Sequence, residues 1–539
     1  MLTAKDLIKY GYFPVEAPPP FQTIKLGDVL DKLSSNQFEK FITKWYNKDK
    51  TNNSRESKCC NYSVPRVKNL RRLIRIPNPL YQIVLCQYIE KHWPMIKAHI
   101  KKSPLSISRP VLPIKRKNKD SRAFDLVMDN LNFEQELALR STEFSYILKS
   151  DISRYYHTLY THSISWALHG KDNAKKYRKD PIRNGIYGDD LDRWVRRTTD
   201  GQTLGIPIGP DSSIIISEIV ATAIDIQLKK RLGKKLHGIR IIDDYLLFFK
   251  EQYECKDALS NLHDIFNDFE LEMNPTKIKI LELPYILEPR WVSDIRQFHF
   301  RNSPKKASII NKVTIQKTDL INYFSRVNEY CRLFPDDNVL KYSLKRFHKG
   351  DILKKNISLF ESLLLKSTLA QSSCIPDVAR ILIKNIESRY KGKNERITRT
   401  ISELIRIHSN YSNDFEIAWA LWLAKEMNLK IKNNVYDDLS KLDNPIVVLL
   451  ILDLREKDLI SDKIKETNWK KFLVKEQLYD DHWLLAYEAL KKEWLPASND
   501  YIEDDPFFKM LKDNDISFYN TTSAEILTGP EPTTYDSYS

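Results

Sequence analysis

Residues 240–249 read RIIDDYLLFF. Ile241 and Ile242 precede an acidic pair and Leu246–Phe249 follow it, so the pattern predicts two buried strands joined by a turn that carries Asp243 and Asp244. Two adjacent carboxylates beside a dry core repel each other and lose hydration, which is costly unless cations compensate. Magnesium, a hard ion that prefers carboxylate oxygen, is the natural compensator, with manganese as the alternative. The dipeptide alone says little. Five other Asp-Asp pairs, at 189–190, 336–337, 437–438, 480–481 and 504–505, mostly read as solvated turns. A tight hairpin with no further role is the plain alternative at 243–244 too.

A partner for this pair stands upstream in YILKSDISRYYHTLY, residues 146–160. Asp151 closes the apolar strand Tyr146-Ile147-Leu148, and the aromatic Tyr156 follows five residues later. An acid so placed can bridge two metal ions held about 3.5–4 Å apart, which activate a hydroxyl and stabilise a leaving pyrophosphate. In such in-line phosphoryl transfer, positioning and charge neutralisation do most of the chemistry. Taken alone, Asp151 is equally readable as a helix N-cap.

Between the two acidic elements lies GQTLGIPIGPDSS, residues 201–213. Gly201, Gly205 and Gly209, with Pro207 and Pro210, precede a long amphipathic helix over 211–232. Glycines admit close backbone approach to a ligand and a helix N-terminus favours anions, although an ordinary capped turn has the same composition. Arg109–Leu126 predicts a hairpin, in which RPVLPIKRKNKDSR, 109–122, puts Lys115, Arg116, Lys117 and Lys119 at the tip and Arg122 behind it. Cations there can neutralise a triphosphate, or form a merely solvated charge run. Downstream, LEMNPTKIKILELP supplies Lys277 after a turn, where it can neutralise a departing pyrophosphate.

The order of these elements resembles the fingers and palm of reverse transcriptases, over residues 62–295. IKRKNKDSR resembles the fingers hairpin, SDISRYY the first palm motif, GIPIGP the template grip, IIDDY the catalytic hairpin and NPTK the motif after it. The resemblance implies catalysis by Asp151, Asp243 and Asp244, with Ile152 joining them in the metal set. It also implies nucleotide contacts from Lys115, Arg116, Arg122, Tyr156, Gln202, Pro207, Gly209 and Lys277. Tyr156 matches the bulky residue that excludes a ribose 2′-hydroxyl in the family, which implies deoxynucleotides. Two positions depart from relatives: Ile242 stands where viral RNA-dependent RNA polymerases commonly have Gly, and Ile208 where many mobile-element enzymes have Gln.

Three further stretches, GYFPVEAPPPF, HSISWALHGK (162–171) and GIPIGPDSS, resemble the bacterial antiphage group of defence-associated and abortive-infection reverse transcriptases. That resemblance implies a HEAT-like helical-repeat domain after the palm, a homo-oligomer (trimer or hexamer), and a bacterial cytoplasmic setting. Some of that group synthesise DNA without a template from a protein hydroxyl, for which Tyr519, Tyr535 and Tyr538 are the candidates. Others copy a noncoding RNA, as a retron-like enzyme does. The rival from another class is a catalytically silent polymerase-like scaffold that binds nucleic acid.

The expected fold is therefore α+β: an N-terminal extension at 1–61, fingers and palm at 62–300, an all-α domain at 301–498, and an acidic, flexible tail at 499–539. In the extension, Pro18–Pro20 predict an extended segment lying across a neighbouring surface. A helix over 80–93 should end or kink at Pro94. Past residue 300, helices are expected at 357–369, 376–390, 398–409, 414–428, 445–458, 463–474 and 482–493, as a solenoid of degenerate repeats or as a plain bundle.

Composition agrees with a polyanionic partner. The 539 residues include 86 Lys plus Arg against 71 Asp plus Glu, a net charge of +15. Expected partners are deoxynucleoside triphosphates, a DNA product, and an RNA template or noncoding RNA. Only 13 glycines argue against a Gly-rich phosphate-loop enzyme. Six scattered cysteines without a CxxC pair argue against zinc or a redox dithiol. MLTAKDLIKYGYF lacks a signal peptide's apolar core, and the longest apolar run, Ile446–Leu452, is far below the ~20 residues of a membrane span. No membrane association is expected.

Overall fold

The computed structural model describes residues 2–30, 56–66, 70–111, 122–130, 132–178, 186–301, 308–347, 352–386 and 394–522. Its centre is an antiparallel sheet of four strands: β5 (Tyr146–Asp151), β6 (Gly238–Ile241), β7 (Asp244–Phe249) and β8 (Lys279–Glu282), in the order β6-β7-β5-β8. Strand β7 is apolar from Tyr245 onward because it lies in the sheet interior with both faces covered, and Leu247 and Phe248 are fully buried. Each such side chain contributes roughly 1.5–3 kcal/mol by leaving water. Gly238 is required where β6 starts, since a Cβ there would stand 2.4 Å from the Leu246 carbonyl oxygen.

Two helices pack on each other beside the sheet. Gln252–Asp268 contacts β5 and β7, and Asp211–Leu232 contacts Gln252–Asp268. The Asp211–Leu232 helix is buried at every position from Asp211 to Asp225, then turns basic at Lys229, Lys230 and Arg231 before Gly233 (φ +57°) stops it. The base of the predicted 109–126 hairpin forms short strands, β3 (Pro110–Val111) and β4 (Asp125–Leu126), paired as expected. Its tip, with Lys115 and Arg116, lies outside the described residues.

Several sequence expectations change. A hairpin of β1 (Cys60–Pro65) and β2 (Arg71–Ile76) was not foreseen, because Asn61, Arg71, Arg72 and Arg75 interrupt its apolar alternation. The helix Pro79–Ile100 neither ends at Pro94 nor loses its packing there: Trp93, Ile96 and Ile100 are all buried, and that burial outweighs the missing amide hydrogen bond. Ile309–Leu333, the longest helix described, is a further element beyond those expected. In place of a helix at 463–474 the chain makes one turn, Thr467–Lys470, then a 3₁₀ segment, Lys475–Tyr479. Trp469 anchors that irregular path by donating its indole N–H to the Leu442 carbonyl at 2.6 Å. The other helices fall at Ile357–Ala370, Ile375–Ile386, Glu395–Ser409, Asp414–Glu426, Pro445–Glu456 and Trp483–Lys491. Ile375–Ile386, Asp414–Glu426, Pro445–Glu456 and Trp483–Lys491 pack in succession as a row.

The C-terminal expectation is overturned as far as residue 522. Pro506–Asp513 is a helix capped by Asp505, and Ile516, Phe518 and Tyr519 are buried. The acids that suggested a loose tail are matched by cations: Asp515 with Lys25 and Lys491, and Lys512 with Asp500 and Glu503. Pro18–Phe21 forms a turn rather than an extended run, closed by the Phe21 amide on the Pro18 carbonyl. It does meet a neighbour, as Phe21 bridges Tyr519, the Gln22 amide donates to Phe518 and the Asn520 amide donates to Pro20. Residues 20–22 and 518–520 thus meet at one core. Contacts from Arg71 to Glu416 and from the Ser63 amide to Asp414 tie the β1–β2 hairpin to the helical half.

Candidate active site

Antiparallel pairing of β5 with β7 sets Asp151 directly opposite Asp244, and the Ile152 amide donates to the Asp243 carbonyl at 3.3 Å. The three acids picked from sequence therefore meet at one end of the sheet. The turn after residue 273 closes on the same spot. Asn274 donates its side-chain amide to Asp151 Oδ1 at 3.1 Å and its backbone N–H to the Asp151 carbonyl at 2.9 Å. Lys277 Nζ lies 2.5 Å from Asp151 Oδ2 and 3.5 Å from Asp244 Oδ1.

Three carboxylates and one ammonium leave net negative charge in a partly dry site. Burial first, then Asp244 and Asp151, push the Asp243 carboxyl up to about 7, against the pull of Lys277. Asp151 is raised as well, by burial and Asp244, with Lys277 opposing. Both shifts mark acids short of positive charge. All three offer hard carboxylate oxygens, the donor chemistry magnesium takes. Among the described residues no three His, Cys, Asp or Glu side chains converge as a ready-made cage, and Lys277 bridges two of the acids instead.

Tyr156 stands in the short helix Tyr155–Thr158 that follows Asp151, its hydroxyl 3.1 Å from Ser217 Oγ and its ring edge-on to Tyr155. Tyr155 donates to the Ser217 carbonyl at 2.7 Å, so the long helix fixes both rings. The grip segment runs alongside: the Ile206 amide donates to the Tyr156 carbonyl and the Arg75 amide to the Ile208 carbonyl, both at 2.8 Å. Pro207 is buried in it, and Gly209 (φ +134°) packs against Ile74. Gln202 is exposed at the start of this loop, with its amide on the Thr199 carbonyl.

Arg122 is exposed, its Nε 3.9 Å from Asp211 Oδ1. Asp211 begins the long helix and takes the Ala123 amide at 2.9 Å; burial lifts its carboxyl to about 6 while Arg122 pulls it down. Gly11, from the N-terminal GYFP, accepts from the Asp211 amide through its carbonyl oxygen at 2.7 Å. It must be glycine, since a Cβ would stand 2.5 Å from Asp211 Oδ2.

Tyr519 is corrected as a priming candidate. It is fully buried, and its hydroxyl donates to Asp453 Oδ2 at 2.7 Å, beside the buried Lys425 that pairs with the same oxygen. Tyr535 and Tyr538 lie outside the described residues. Sequence reasoning also missed contributors. Burial and then Arg72 lower the pKa of Arg66 against the upward pull of Asp243, Asp151 and Asp244, so Arg66, which follows β1, lies within electrostatic reach of the acids. The basic run PRVKNLRRLIRI, 65–76, was the available signal. Arg240, alone among apolar neighbours in GIRII, was another: it is fully buried between Glu218 and Asp225.

Residues 72–323 match the reverse transcriptase (RNA-dependent DNA polymerase) family model, a span holding Asp151, Tyr156, Asp243, Asp244 and Lys277. The chain thus carries a reverse transcriptase-type polymerase domain. Similar solved structures include apo telomerase from Candida tropicalis truncated from its C-terminal domain, at 14% identity and a TM-score of 0.29, over 48% of this chain and 56% of that one. Telomerase from Candida albicans with a fragment of telomeric RNA shows 12% identity and a TM-score of 0.29, over 77% and 71%. The chain spans just over half the length of the first of these. No curated protein matches it.

Proposed function

We propose that this chain is a DNA polymerase of the reverse transcriptase type, which adds deoxynucleotides by metal-dependent phosphoryl transfer. The observation that carries this reading is the pairing of Asp151 with Asp244 across β5 and β7, with Asp243 in the adjoining turn. Asp151, Asp243, Asp244 and the Ile152 carbonyl would hold magnesium or manganese, which when bound supplies charge for a primer hydroxyl and for the leaving pyrophosphate. Lys277 is held where a cation can meet that pyrophosphate. Tyr156, fixed by Ser217, blocks the place of a ribose 2′-hydroxyl, and Arg122 would help neutralise the triphosphate, a role the family resemblance also implies for Lys115 and Arg116. A scaffold that merely binds nucleic acid gains nothing from clustered carboxylates beside phosphates, which favours the catalytic reading.

The antiphage setting, the HEAT-like character of the helical row and assembly as a trimer or hexamer rest on the resemblance of GYFPVEAPPPF, HSISWALHGK and GIPIGPDSS. Priming from Tyr519 is not part of this reading, because its hydroxyl is buried. The test is to incubate purified protein with each deoxynucleotide and magnesium, with and without primer and template, and to sequence the nucleic acid that copurifies. Product with a defined RNA indicates a retron-like enzyme, and product without template an untemplated synthesiser. Absence of product under every condition contradicts the proposal.

A further inference from the structure

The turn that carries the two acids contains a residue in a backbone state it disfavours. Ile242 has φ +54°. There the branched Cβ crowds its own backbone, whereas glycine adopts the state freely. Such an outlier persists only where its surroundings over-determine it. Both peptide groups of Ile242 are gripped: its N–H donates to Ser108 Oγ at 2.8 Å, and its carbonyl accepts from Arg240 Nη1 at 2.9 Å.

Neither grip is loose. Ser108 is fully buried and donates to Glu218 Oε2 at 3.2 Å. Arg240, also fully buried, donates Nε to Asp225 at 2.8 and 3.0 Å, and Nη1 and Nη2 to Glu218 at 3.1 and 2.8 Å. Asp225 takes a further bond from Ser103 at 2.5 Å. A buried ion cluster adds little net stability, because desolvation offsets its attraction; its best-attested use is to fix one arrangement over others. This one ends on the carbonyl of the residue before Asp243.

We propose that Ser108 and Arg240 are positioning residues that lock Ile242 in the left-handed state and so set the Asp243–Asp244 turn against Asp151. The inference rests on the polymerase reading above and adds two residues from outside the acidic set.

The test compares wild type, Ser108→Ala, Ile242→Gly and the double variant, in magnesium-dependent deoxynucleotide incorporation and in urea unfolding. Ser108→Ala should lower kcat about 10²-fold with KM nearly unchanged, since a small misplacement of reacting groups has that effect. Adding Ile242→Gly should restore most of the rate, because glycine needs no clamp. The unfolding midpoints should be non-additive, with Ile242→Gly more favourable in the Ser108→Ala background than in wild type. Arg240→Lys, which keeps the charge but loses the fork, should resemble Ser108→Ala. Additive midpoints, or a rate loss that glycine does not rescue, overturn the clamp. Inactive wild-type protein with coupled midpoints overturns the polymerase reading and the catalytic purpose of the clamp, but leaves the clamp itself standing.

Discussion

Lys277 places its ammonium 2.5 Å from Asp151 Oδ2 while also approaching Asp244, so one cation joins the acid of β5 to the acid of β7. The contact depends on the turn at Asn274, which binds Asp151 through both its backbone and its side chain.

Removing that cation takes the ion-pair partner from Asp151 and Asp244 and a charge from the path of the leaving group. Lys277→Ala should slow single-turnover incorporation by about 10²-fold, with Lys277→Arg retaining more of the rate. An alanine variant as fast as wild type would remove Lys277 from the site.

The ring of Tyr156 is held by Ser217 rather than left to swing. Truncation to Tyr156→Ala should therefore open space for a 2′-hydroxyl. The kcat/KM ratio of deoxynucleotide to ribonucleotide should fall by about 10–100-fold, measured with matched triphosphates.

Tyr519 donates to a buried carboxylate that also holds Lys425. Tyr519→Phe should lose about 1–3 kcal/mol of unfolding free energy in urea, because Asp453 forfeits a donor it cannot replace with water. DNA synthesis should persist in that variant, since the hydroxyl serves packing and not priming.

Asp414 begins a buried helix and accepts the Ser63 amide; burial pushes its carboxyl up to about 7. The unfolded chain ionises this group near ~3.9, so between about pH 4 and 7 the folded state binds the extra proton. Stability from this group is thus full below the unfolded value and declines as pH rises toward 7, then levels. Asp414→Asn should flatten the urea midpoint across that window.

The acids were legible because a run of apolar strand residues makes any interrupting carboxylate conspicuous: RIIDDYLLFF and YILKSD each announce strand and acid together. Register then did the rest, since period-two pairing of β5 and β7 leaves Asp151 little choice of partner. What stayed hidden depends on contacts distant in sequence. Arg71 reaches Glu416, Phe21 meets Tyr519, and the acidic stretch after 499 is neutralised by Lys25 and Lys491. Local composition cannot reveal that a charged tail has cations waiting elsewhere. For the same reason, the strain at Ile242 is invisible in sequence while the Arg in GIRII is not.

The central claim is that Asp151, Asp243 and Asp244 act as one catalytic group. Its most direct test is incorporation of labelled deoxynucleotides in magnesium by wild type and by Asp151→Asn, Asp243→Asn and Asp244→Asn, with folding checked by unfolding midpoint. The account predicts DNA product from wild type and a loss of about 10³-fold or more in each folded variant. Wild-type rates in any one of the three, or no product from wild type at all, would contradict it.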